Sequence, residues 1–510
     1  MSGDRAIVLG GGVNGLVAAI RLARGGRKVV LFEAREVLGG LAAGDEFAPG
    51  FRHTGILHDA SCFAPELAEE LGLASHGLAL VPRDDVLSPE AGGRGLVLSA
   101  DADRTAQELA AHSPEDVARY REYRAFLDRI APIARRLLSS PLPDPAGTDL
   151  GSLARLAKDG LAVRRLGRDT MFELLRLGPM CVADWLKEWF RSERLGCLLA
   201  GPALDFGFAG PWSPATNALL VRHEILSGLV PRGGPAALVR ALEASARAAG
   251  VDIRTGAPVA GIIAAAGAAR GVRLASGEEE PASVVLSTLD PKTTFLTLLP
   301  AGTLDPALVH RLEAYRSNGM TAKVHLAVAG TIEFASRPGE RIRRARTGDS
   351  FDAVERQFDS AKYRQISPRP VLDVCVPSVE SPELAPEGDS VVSVLVHWAP
   401  RDRAEGWSDG ARDQLGNLVL AALAEHLPEL PAAVREIDVL TPADLETRFG
   451  LAGGHLLQGE HGLDQLAARP TPELARHVTP IRGLLLGGDG AWPGGGLTGW
   501  PGALAASAVS

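Results

Sequence analysis

The sequence predicts an α/β fold that combines a Rossmann-like nucleotide-binding domain with a discontinuous α+β second domain. Three observations predict it: a strand, glycine-rich turn and helix in the first 33 residues, a second glycine-rich segment at 483–502, and helix-rich sequence between them. The 510 residues also exceed one ordinary domain of about 100–200 residues. We therefore expect at least two domains.

The composition is that of a globular protein, with 46% hydrophobic and 23% charged residues. A net charge of -9 argues against a generally nucleic-acid-binding surface, so no nucleic acid partner is expected. The chain has 58 glycines in 510 residues, above the usual share of about 7%. Their positions therefore deserve more weight than their number.

The N-terminal apolar run, Ala6 to Leu9, is too short for a signal peptide. No apolar stretch approaches the roughly 20 residues needed to cross a bilayer, so we expect a cytoplasmic protein without a transmembrane segment. The cysteines are far apart and form no CxxC pair, which predicts neither a disulfide framework nor a metal site and argues against a disulfide reductase. They are Cys62, Cys181, Cys197 and Cys375.

The first motif begins with a buried strand, Ala6 to Leu9, followed by the turn Gly10-Gly-Gly-Val-Asn-Gly15 and a helix to Arg24. Gly10 permits a tight turn, Gly12 lets backbone amides approach a pyrophosphate, and Gly15 lets helix and strand pack closely. Val13 and Asn14 belong to the same cofactor-binding turn. The segment predicts a dinucleotide site.

Glu33 ends the second predicted strand, which spans 28–32, and follows Gly10 by 23 residues. An acid at this position accepts hydrogen bonds from the ribose of either NAD or FAD. This unit alone therefore leaves the choice of dinucleotide open.

The next residues, Ala34-Arg-Glu-Val-Leu-Gly-Gly40, resemble the A-R-x-x-x-G-G segment of the FAD-binding domains of amine oxidases, phytoene desaturases and their relatives. The resemblance implies FAD as the cofactor and a fold of the glutathione-reductase type. It implies that Ala34, Arg35, Gly39 and Gly40 lie beside FAD. Leu41 is also a candidate contact, although relatives often have Arg or Lys there.

The C-terminal segment predicts a strand from Gly483, the acid Asp489 and a Pro-Gly-Gly-Gly turn, followed by a short helix from Ala503. Only 11 residues follow Gly499, too few for a second nucleotide-binding unit. The segment resembles the second FAD motif of the phytoene desaturase and retinol saturase group. That resemblance implies contacts of Asp489 with the pyrophosphate or ribityl region and of nearby backbone with the flavin. The remaining candidates are Gly488, Gly496, Leu497 and Thr498.

The middle of the chain extends this resemblance to nearly the full length. Leu229-Val-Pro-Arg-Gly-Gly-Pro235, a helix at 236–249 and Val284-Val-Leu-Ser-Thr-Leu-Asp-Pro-Lys-Thr-Thr-Phe295 follow the order seen in bacterial phytoene-desaturase-like enzymes. The resemblance implies that Val259 offers its backbone to adenine. We predict an FAD-binding domain of 1–100, 221–300 and 441–510, and a substrate domain of 101–220 and 301–440.

Further elements are predicted from periodicity and capping signals. The helices are 113–138, 171–177, 182–191 and 410–425, and the strands are 322–328 and 391–397.

Two residues are candidates for proton chemistry. His58 lies in Arg52-His-Thr-Gly-Ile-Leu-His58-Asp59, which resembles the segment beside the flavin in relatives, and imidazole is a suitable base near neutral pH. The alternative is a loop histidine that bonds backbone. Lys323 is a charge within an otherwise apolar strand and needs a partner or a cavity; the alternative is an edge-strand lysine in solvent. Gln458 replaces the histidine usual in the similar G-G-x-x-x-H-G-E segment, which argues against proton transfer there.

A few aromatic and basic side chains are candidates for the substrate pocket, although aromatic residues are more often plain core. They are Phe206, Phe208, Trp212, His223 and Arg232.

The resemblance implies an FAD-dependent oxidoreductase that takes a hydride from an apolar or amine-containing small molecule to form C=C or C=N. Dioxygen or a quinone is the expected electron acceptor. Two alternatives stay open: a saturase that runs this chemistry in reverse, and a non-catalytic lipid-binding protein of the GDP-dissociation-inhibitor type. The sequence leaves the oligomeric state open.

Overall fold

A computed structural model describes residues 5–143 and 150–509. The strands in these residues are β1 (Arg5–Leu9), β2 (Lys28–Phe32), β3 (Asp45–Ala48), β4 (Phe51–His53), β5 (Leu80–Pro82), β6 (Val86–Ser88), β7 (Leu96–Leu98), β8 (Leu229–Pro231), β9 (Asp252–Arg254), β10 (Val259–Ala265), β11 (Ala268–Leu274), β12 (Glu279–Pro281), β13 (Val284–Ser287), β14 (Thr321–Val328), β15 (Arg344–Arg346), β16 (Leu372–Cys375), β17 (Ser390–His397), β18 (Val434–Leu440) and β19 (Leu484–Leu486). The α-helices are α1 (Val13–Arg24), α2 (Pro65–Glu70), α3 (Ala102–His112), α4 (Asp116–Leu138), α5 (Leu150–Arg165), α6 (Arg168–Leu177), α7 (Val182–Trp189), α8 (Glu193–Leu204), α9 (Thr216–Leu226), α10 (Gly234–Ala248), α11 (Pro306–Ala314), α12 (Phe351–Lys362), α13 (Asp409–Ala424), α14 (Leu430–Ala433), α15 (Pro442–Phe449), α16 (Leu463–Leu466) and α17 (Trp500–Ser507).

A parallel five-stranded sheet forms the centre of the nucleotide-binding part, in the order β19-β13-β1-β2-β9. Strand β1 lies in the middle, and its four residues from Ala6 are at most 1% exposed. A strand covered on both faces needs a continuous apolar sequence, which Ala6 to Leu9 provides. The predicted α/β class is confirmed.

The two faces of this sheet are covered differently. Helices α1, α10 and α17 pack on one face through side chains such as Leu16, Leu238 and Ala505. The antiparallel sheet β10-β11-β12 covers the other face, where Val272 packs with Ile7. These three layers leave the loops at the carboxyl ends of β1, β2 and β19 together at one edge of the sheet.

The C-terminal helix brings the two ends of the sequence into contact. Helix α17 begins at Trp500, three residues before the predicted start, and packs against α1. A Cβ atom on Gly502 would lie only 1.9 Å from the carbonyl oxygen of Asn14, so this close approach depends on glycine. Asp489 is thereby carried to the first glycine turn.

The second sheet has seven strands in the order β18-β14-β17-β16-β15-β6-β7. Strand β14 pairs on both sides, with β17 and β18, and every residue in it is buried. The strands predicted at 322–328 and 391–397 are confirmed as β14 and β17. Strands β6 and β7 also belong to this sheet, because β6 pairs with β15. Strands β6 and β7 thus pair away from the nucleotide-binding sheet, although they precede the predicted boundary at residue 100.

Helices α4, α7, α8, α9 and α12 form an apolar cluster beside the second sheet. The predicted helices at 171–177, 182–191 and 410–425 are confirmed as α6, α7 and α13 within a few residues. The helix predicted from Ser113 begins instead at Asp116, and the Ser113 hydroxyl donates a hydrogen bond to the Asp116 carboxylate at 2.8 Å. No helix among the described residues is long and apolar enough to span a membrane.

Candidate functional site

The first glycine turn joins β1 to α1 at the carboxyl edge of the parallel sheet. Gly10 has a φ of +93°, which favours glycine, and a Cβ on Gly15 would lie 1.9 Å from the Gly10 carbonyl oxygen. Gly12 precedes the first turn of α1, which contains Val13 and Asn14, and no side chain caps this helix end. The space where a Gly12 Cβ would extend contains no atom within 4 Å. Uncapped amides beside open space suit an anionic group.

Glu33 stabilises this turn from the end of β2. Its Oε2 accepts a hydrogen bond from the Gly11 amide at 2.7 Å, and its Oε1 accepts one from the Arg35 amide at 2.9 Å. The residue is 8% exposed. The carboxylate can therefore brace the turn and still meet a ribose hydroxyl with its remaining lone pairs.

The segment after Glu33 turns back to the glycine loop. The Gly39 amide donates to the Gly11 carbonyl at 2.8 Å, and the Arg35 guanidinium lies 4.6 Å from the ring centroid of Phe449. Ala34 connects Glu33 to Arg35 in this segment, and Gly40 follows Gly39.

Leu41 packs against the apolar cluster that contains Ile56 and Leu57. Its carbonyl accepts a hydrogen bond from the Leu57 amide at 3.1 Å.

Val259 begins β10 and is half-buried. Two residues before it, the Ala257 amide donates to the Glu33 carbonyl at 2.9 Å. The chain leading into β10 therefore runs beside the end of β2, on the side where the sequence predicts the adenine.

Asp489 joins the C-terminal motif to the first glycine turn. Its Oδ1 accepts a hydrogen bond from the Asn14 side chain at 3.2 Å, and its Oδ2 accepts one from the Gly496 amide at 3.1 Å. Burial raises the pKa of Asp489 to about 6. Gly488 precedes Asp489 in a tight passage, because a Cβ there would lie 2.4 Å from the Thr288 carbonyl oxygen.

The turn after Gly496 is held by its own backbone. The Thr498 amide donates to the Gly496 carbonyl at 2.6 Å, and Thr498 is fully buried. Leu497 contacts both the apolar cluster of Leu57 and the cavity described below. Gly496 and Leu497 therefore both line this cavity.

Gln458 connects two loops through its side-chain amide. Its side-chain amide donates to the Thr288 carbonyl at 3.0 Å, and its Oε1 accepts from the Gly490 amide at 3.0 Å. Both ends of the amide are used in holding the loops after β13 and β19. This geometry is that of a structural clamp.

A cavity of about 150 Å³ lies between the C-terminal motif and the second sheet. Most of its wall is apolar. The residues that line it include Leu57, His58, Asp59, Cys62, Asp205, Phe206, Phe208, Thr216, Leu219, Arg222, His223, Leu226, Asp373, Leu395, Leu457, Glu460, His461, Gly495, Gly496 and Leu497.

Three of the five predicted pocket residues line this cavity, namely Phe206, Phe208 and His223. Trp212 and Arg232 do not line it. Trp212 packs on the outside of the helical cluster, where the Lys187 ammonium lies 4.8 Å from its ring centroid. Arg232 is exposed in the loop after β8, and its backbone amide donates to the Ala79 carbonyl.

His58 and Lys323 meet beside the cavity, although 265 residues separate them. His58 Nδ1 lies 2.9 Å from Lys323 Nζ, and both side chains are buried. His58 Nε2 faces Asp373 Oδ1 at 3.4 Å, a contact too long for a well-formed hydrogen bond. Both alternatives for these residues are wrong: Lys323 lies on a central strand, and His58 bonds a side chain.

Burial lowers the pKa of Lys323 to about 7. Burial and the neighbouring Lys323 lower the pKa of His58 to about 3. Near neutral pH the lysine can therefore gain or lose a proton, whereas the imidazole is neutral. The lowered pKa of His58 does not favour the expectation that this residue acts as the base.

A buried ionic network supports this pair. Asp373 Oδ2 accepts from Arg344 at 3.0 Å and from Arg346 at 2.7 Å, and Arg346 also binds Asp205 at 2.8 Å. Although burial acts to raise it, these arginines hold the pKa of Asp373 well below its usual range. The network is consequently ionised and rigid at neutral pH.

Sequence reasoning missed this network. One signal was available: Asp373 is a charge within the otherwise apolar strand β16, as Lys323 is within β14, whereas β15 contains both Arg344 and Arg346 in three residues. Arg222, in the cavity wall, was also missed.

The four cysteines are free. No group of three or more His, Cys, Asp or Glu side chains in the described parts of the chain is arranged to hold a metal ion.

The parallel sheet, the glycine turn with Glu33, and the returning Asp489 define a dinucleotide-binding oxidoreductase. Residues 14–499 match the family described as flavin containing amine oxidoreductase, and the chain belongs to that family. The protein is therefore an FAD-dependent oxidoreductase, as the sequence predicted. The open space at Gly12 and the unpartnered Asn14 Oδ1 fit this cofactor.

The chain is 32% identical to "Pyridine nucleotide-disulfide oxidoreductase domain-containing protein 2" of Rattus norvegicus, over 99% of this chain and 93% of the relative. It is 29% identical to the zeta-carotene-forming phytoene desaturase of Myxococcus xanthus, over 97% and 91% of the two chains. The crystal structure of an oxidoreductase from Methanosarcina mazei is similar in fold, with a TM-score of 0.59, 18% identity and 99% coverage of both chains. The predicted resemblance to phytoene desaturase-like enzymes is confirmed.

Proposed function

We propose that this enzyme is a dehydrogenase or oxidase that removes a hydride from a C–H bond of an apolar or amine-containing small molecule and forms C=C or C=N. Bound FAD supplies the two-electron acceptor, flavin N5. The observation that carries the proposal is the largely apolar cavity between Gly495–Leu497 and the buried Lys323–His58 pair.

The cavity walls provide orientation and a dry environment. Phe206, Leu395 and Leu457 contribute apolar surface on the side of the second sheet and its loops. A substrate carbon skeleton held there excludes water, which favours hydride transfer over side reactions.

Forming a double bond also requires loss of a proton, which we assign to Lys323 with His58 as its partner. With its proton on Nε2, which faces Asp373, His58 accepts a hydrogen bond at Nδ1 from Lys323 Nζ, 2.9 Å away, and stabilises the ammonium that forms there. The imidazole stays neutral overall, consistent with its lowered pKa. The lysine then holds the charge, with a pKa of about 7.

The cofactor contacts proposed from the sequence form two groups in this arrangement. The adenosine end of FAD is bound by Gly10, Gly12, Gly15 and Glu33. The flavin end is bound by Asp489 and the turn at 496–498. The two predicted domains, apart from residues 86–98, follow the two main sheets, and we propose that the cofactor lies between them. We further propose dioxygen or a quinone as the electron acceptor.

The test is anaerobic mixing of the holoprotein with phytoene, a monoterpene hydrocarbon, a primary amine and an apolar carboxylic acid. We expect one class to bleach the oxidised flavin and to yield a product lacking two hydrogen atoms by mass spectrometry. The saturase would instead be established if none of these compounds bleaches the oxidised flavin and the reduced enzyme adds two hydrogen atoms to a C=C bond. Protein that neither contains nor binds FAD would overturn both.

The proposed role of Lys323 and His58 in proton removal is tested with His58→Ala and Lys323→Met in the same assay. We expect both variants to keep FAD and to reduce it about 10²-fold or more slowly, the usual size of a general acid–base contribution. His58→Gln is the control for packing, because it keeps a hydrogen-bonding group without a second exchangeable ring nitrogen. Wild-type rates in His58→Ala would reduce His58 to a structural role.

A further inference from the structure

Arg222 is an arginine in the cavity wall that no acid neutralises at close range. It lies on α9, lines the cavity beside Gly495, and is half-buried. One guanidinium nitrogen, Nη2, donates to the Gly494 carbonyl. Among the described residues no carboxylate lies within ion-pair distance of it. Most of its donors are therefore available to a molecule in the cavity.

Four other arginines near the cavity are paired with acids, whereas in the described part of the chain the buried Arg469 bonds only neutral oxygens. Arg344 and Arg346 bind Asp373, and Arg83 and Arg124 bind Glu224. Burial lowers the pKa of Arg222 to about 10, so it remains a cation at neutral pH. A buried cation without a paired anion is costly, and an anion supplied by a ligand would offset that cost.

The acids of the cavity are, by contrast, already engaged. Asp59 faces Arg344 at 3.4 Å and Asp205 binds Arg346, while Glu460 binds Arg316 at 2.9 Å. A ligand ammonium group would therefore have to compete with an arginine for each carboxylate.

The histidines in the wall do not change this balance. Burial lowers the pKa of His223 and holds that of His461 well below its usual value, so both are neutral near pH 7. Arg469, fully buried behind Gly459, adds a second positive charge on the Arg222 side. Two acidic groups act on Arg222, the Cys62 thiol and the Asp489 carboxyl, and neither lies within ion-pair distance among the described residues.

We propose that the cavity binds an apolar molecule that carries a carboxylate, and that Arg222 receives this carboxylate through charge-assisted hydrogen bonds. The carbon skeleton then lies against Phe206, Leu219 and Leu395. This inference rests on the proposed function and narrows its substrate class from apolar or amine-containing molecules to apolar acids. A guanidinium suits the role because it can bind both carboxylate oxygens at once.

The test compares three probes that share an alkyl chain: octanoate, octanamide and octylamine. Each is titrated into the holoprotein, and the dissociation constant is read by calorimetry and from the change in flavin absorbance. We expect octanoate to bind most tightly. Arg222→Met should weaken octanoate about 10-fold or more and change octanamide little, because a hydrogen bond between charged groups is lost only for the acid.

Two further variants make the result specific. Arg222→Lys keeps the charge without the planar fork, so octanoate should bind with an affinity between those of the wild type and Arg222→Met. Arg121→Met removes an exposed arginine on α4 and should leave all three affinities unchanged. If Arg222→Met fails to bind FAD, two measurements still test the inference. They are the order of the three affinities in the wild type and the loss of octanoate affinity in Arg222→Lys.

The inference is overturned if octylamine binds more tightly than octanoate, or if octanoate binds equally to wild type and Arg222→Met. It is also overturned if Arg222→Met changes only the midpoint potential of the flavin, since the arginine would then stabilise the negative charge of the reduced flavin and not that of a ligand carboxylate. These binding measurements need no turnover. Octanoate binding through Arg222 in a protein that oxidises no compound would therefore refute the proposed function alone.

Discussion

The first glycine turn offers a paired test, because the same methyl group added at two positions should have different effects. Gly15→Ala places a Cβ 1.9 Å from the Gly10 carbonyl oxygen and 3.0 Å from its carbon. Gly12→Ala places a Cβ where no protein atom lies within 4 Å, at a φ of -71° that alanine adopts freely. One change therefore disturbs the fold, and the other changes only the space beside it.

The magnitudes follow from these distances. Relieving the Gly15 contact requires α1 and β1 to separate by about 1 Å or more, and overpacking of this kind costs about 1–3 kcal/mol. The helix propensity of alanine returns at most about 1 kcal/mol. Gly12→Ala should change the free energy of unfolding of the apoprotein by less than about 0.5 kcal/mol. It should weaken FAD binding about 10- to 100-fold if it removes one charge-assisted hydrogen bond from a backbone amide to the pyrophosphate.

The assay is urea unfolding of each apoprotein, together with FAD titration followed by quenching of flavin fluorescence. Gly160→Ala is the matched control, because Gly160 lies exposed on α5 with nothing near its Cβ position. Wild-type FAD affinity in Gly12→Ala would refute the close approach of the cofactor to this turn. Wild-type stability in apo Gly15→Ala would refute the tight helix–strand contact.

Three further results are expected. Burial lowers the pKa of Lys323 from 10.5 to about 7, so the folded state binds fewer protons than the unfolded state between these values, and wild-type stability should rise with pH in this window. From pH 7 to pH 9, the free energy of unfolding of the wild type in urea should rise by about 2 kcal/mol relative to that of Lys323→Met; parallel pH dependences would contradict the buried lysine. Gln458→Ala breaks the link from Thr288 to the C-terminal motif and should lower the free energy of unfolding by about 1–3 kcal/mol, whereas an unchanged urea midpoint would rule out the clamp. Arg346→Met leaves Asp373 buried with one cation fewer and should cost about 3–5 kcal/mol at pH 7, with Arg346→Lys less affected; equal stability of Arg346→Met and wild type would show that the network is not strongly coupled.

The cofactor motifs could be predicted from the sequence because their requirements are local. A tight turn needs glycine at Gly10, and a helix that crosses a strand closely needs it at Gly15. The position of Glu33 at the end of β2 likewise follows from a short run of residues. Strand β14 could be predicted from its alternation, and the charge of Lys323 in that strand indicated a partner.

The cavity could be predicted only in part. Phe206, Phe208 and His223 line it, whereas Trp212 and Arg232 lie elsewhere, because loops between helices can direct neighbouring residues to opposite sides. The pairing of β6 with β15 likewise depends on contacts between segments more than 250 residues apart.

The sequence by itself determined the fold class, the family resemblance and the cofactor, because these depend on backbone geometry encoded in contiguous residues. Only the tertiary structure decided which charges meet. It paired Lys323 with His58 across 265 residues and neutralised Asp373 with two arginines. It also left Arg222 facing the cavity without an acid. The physical reason is that burial and Coulomb interactions depend on distance in space, which spacing along the chain does not specify.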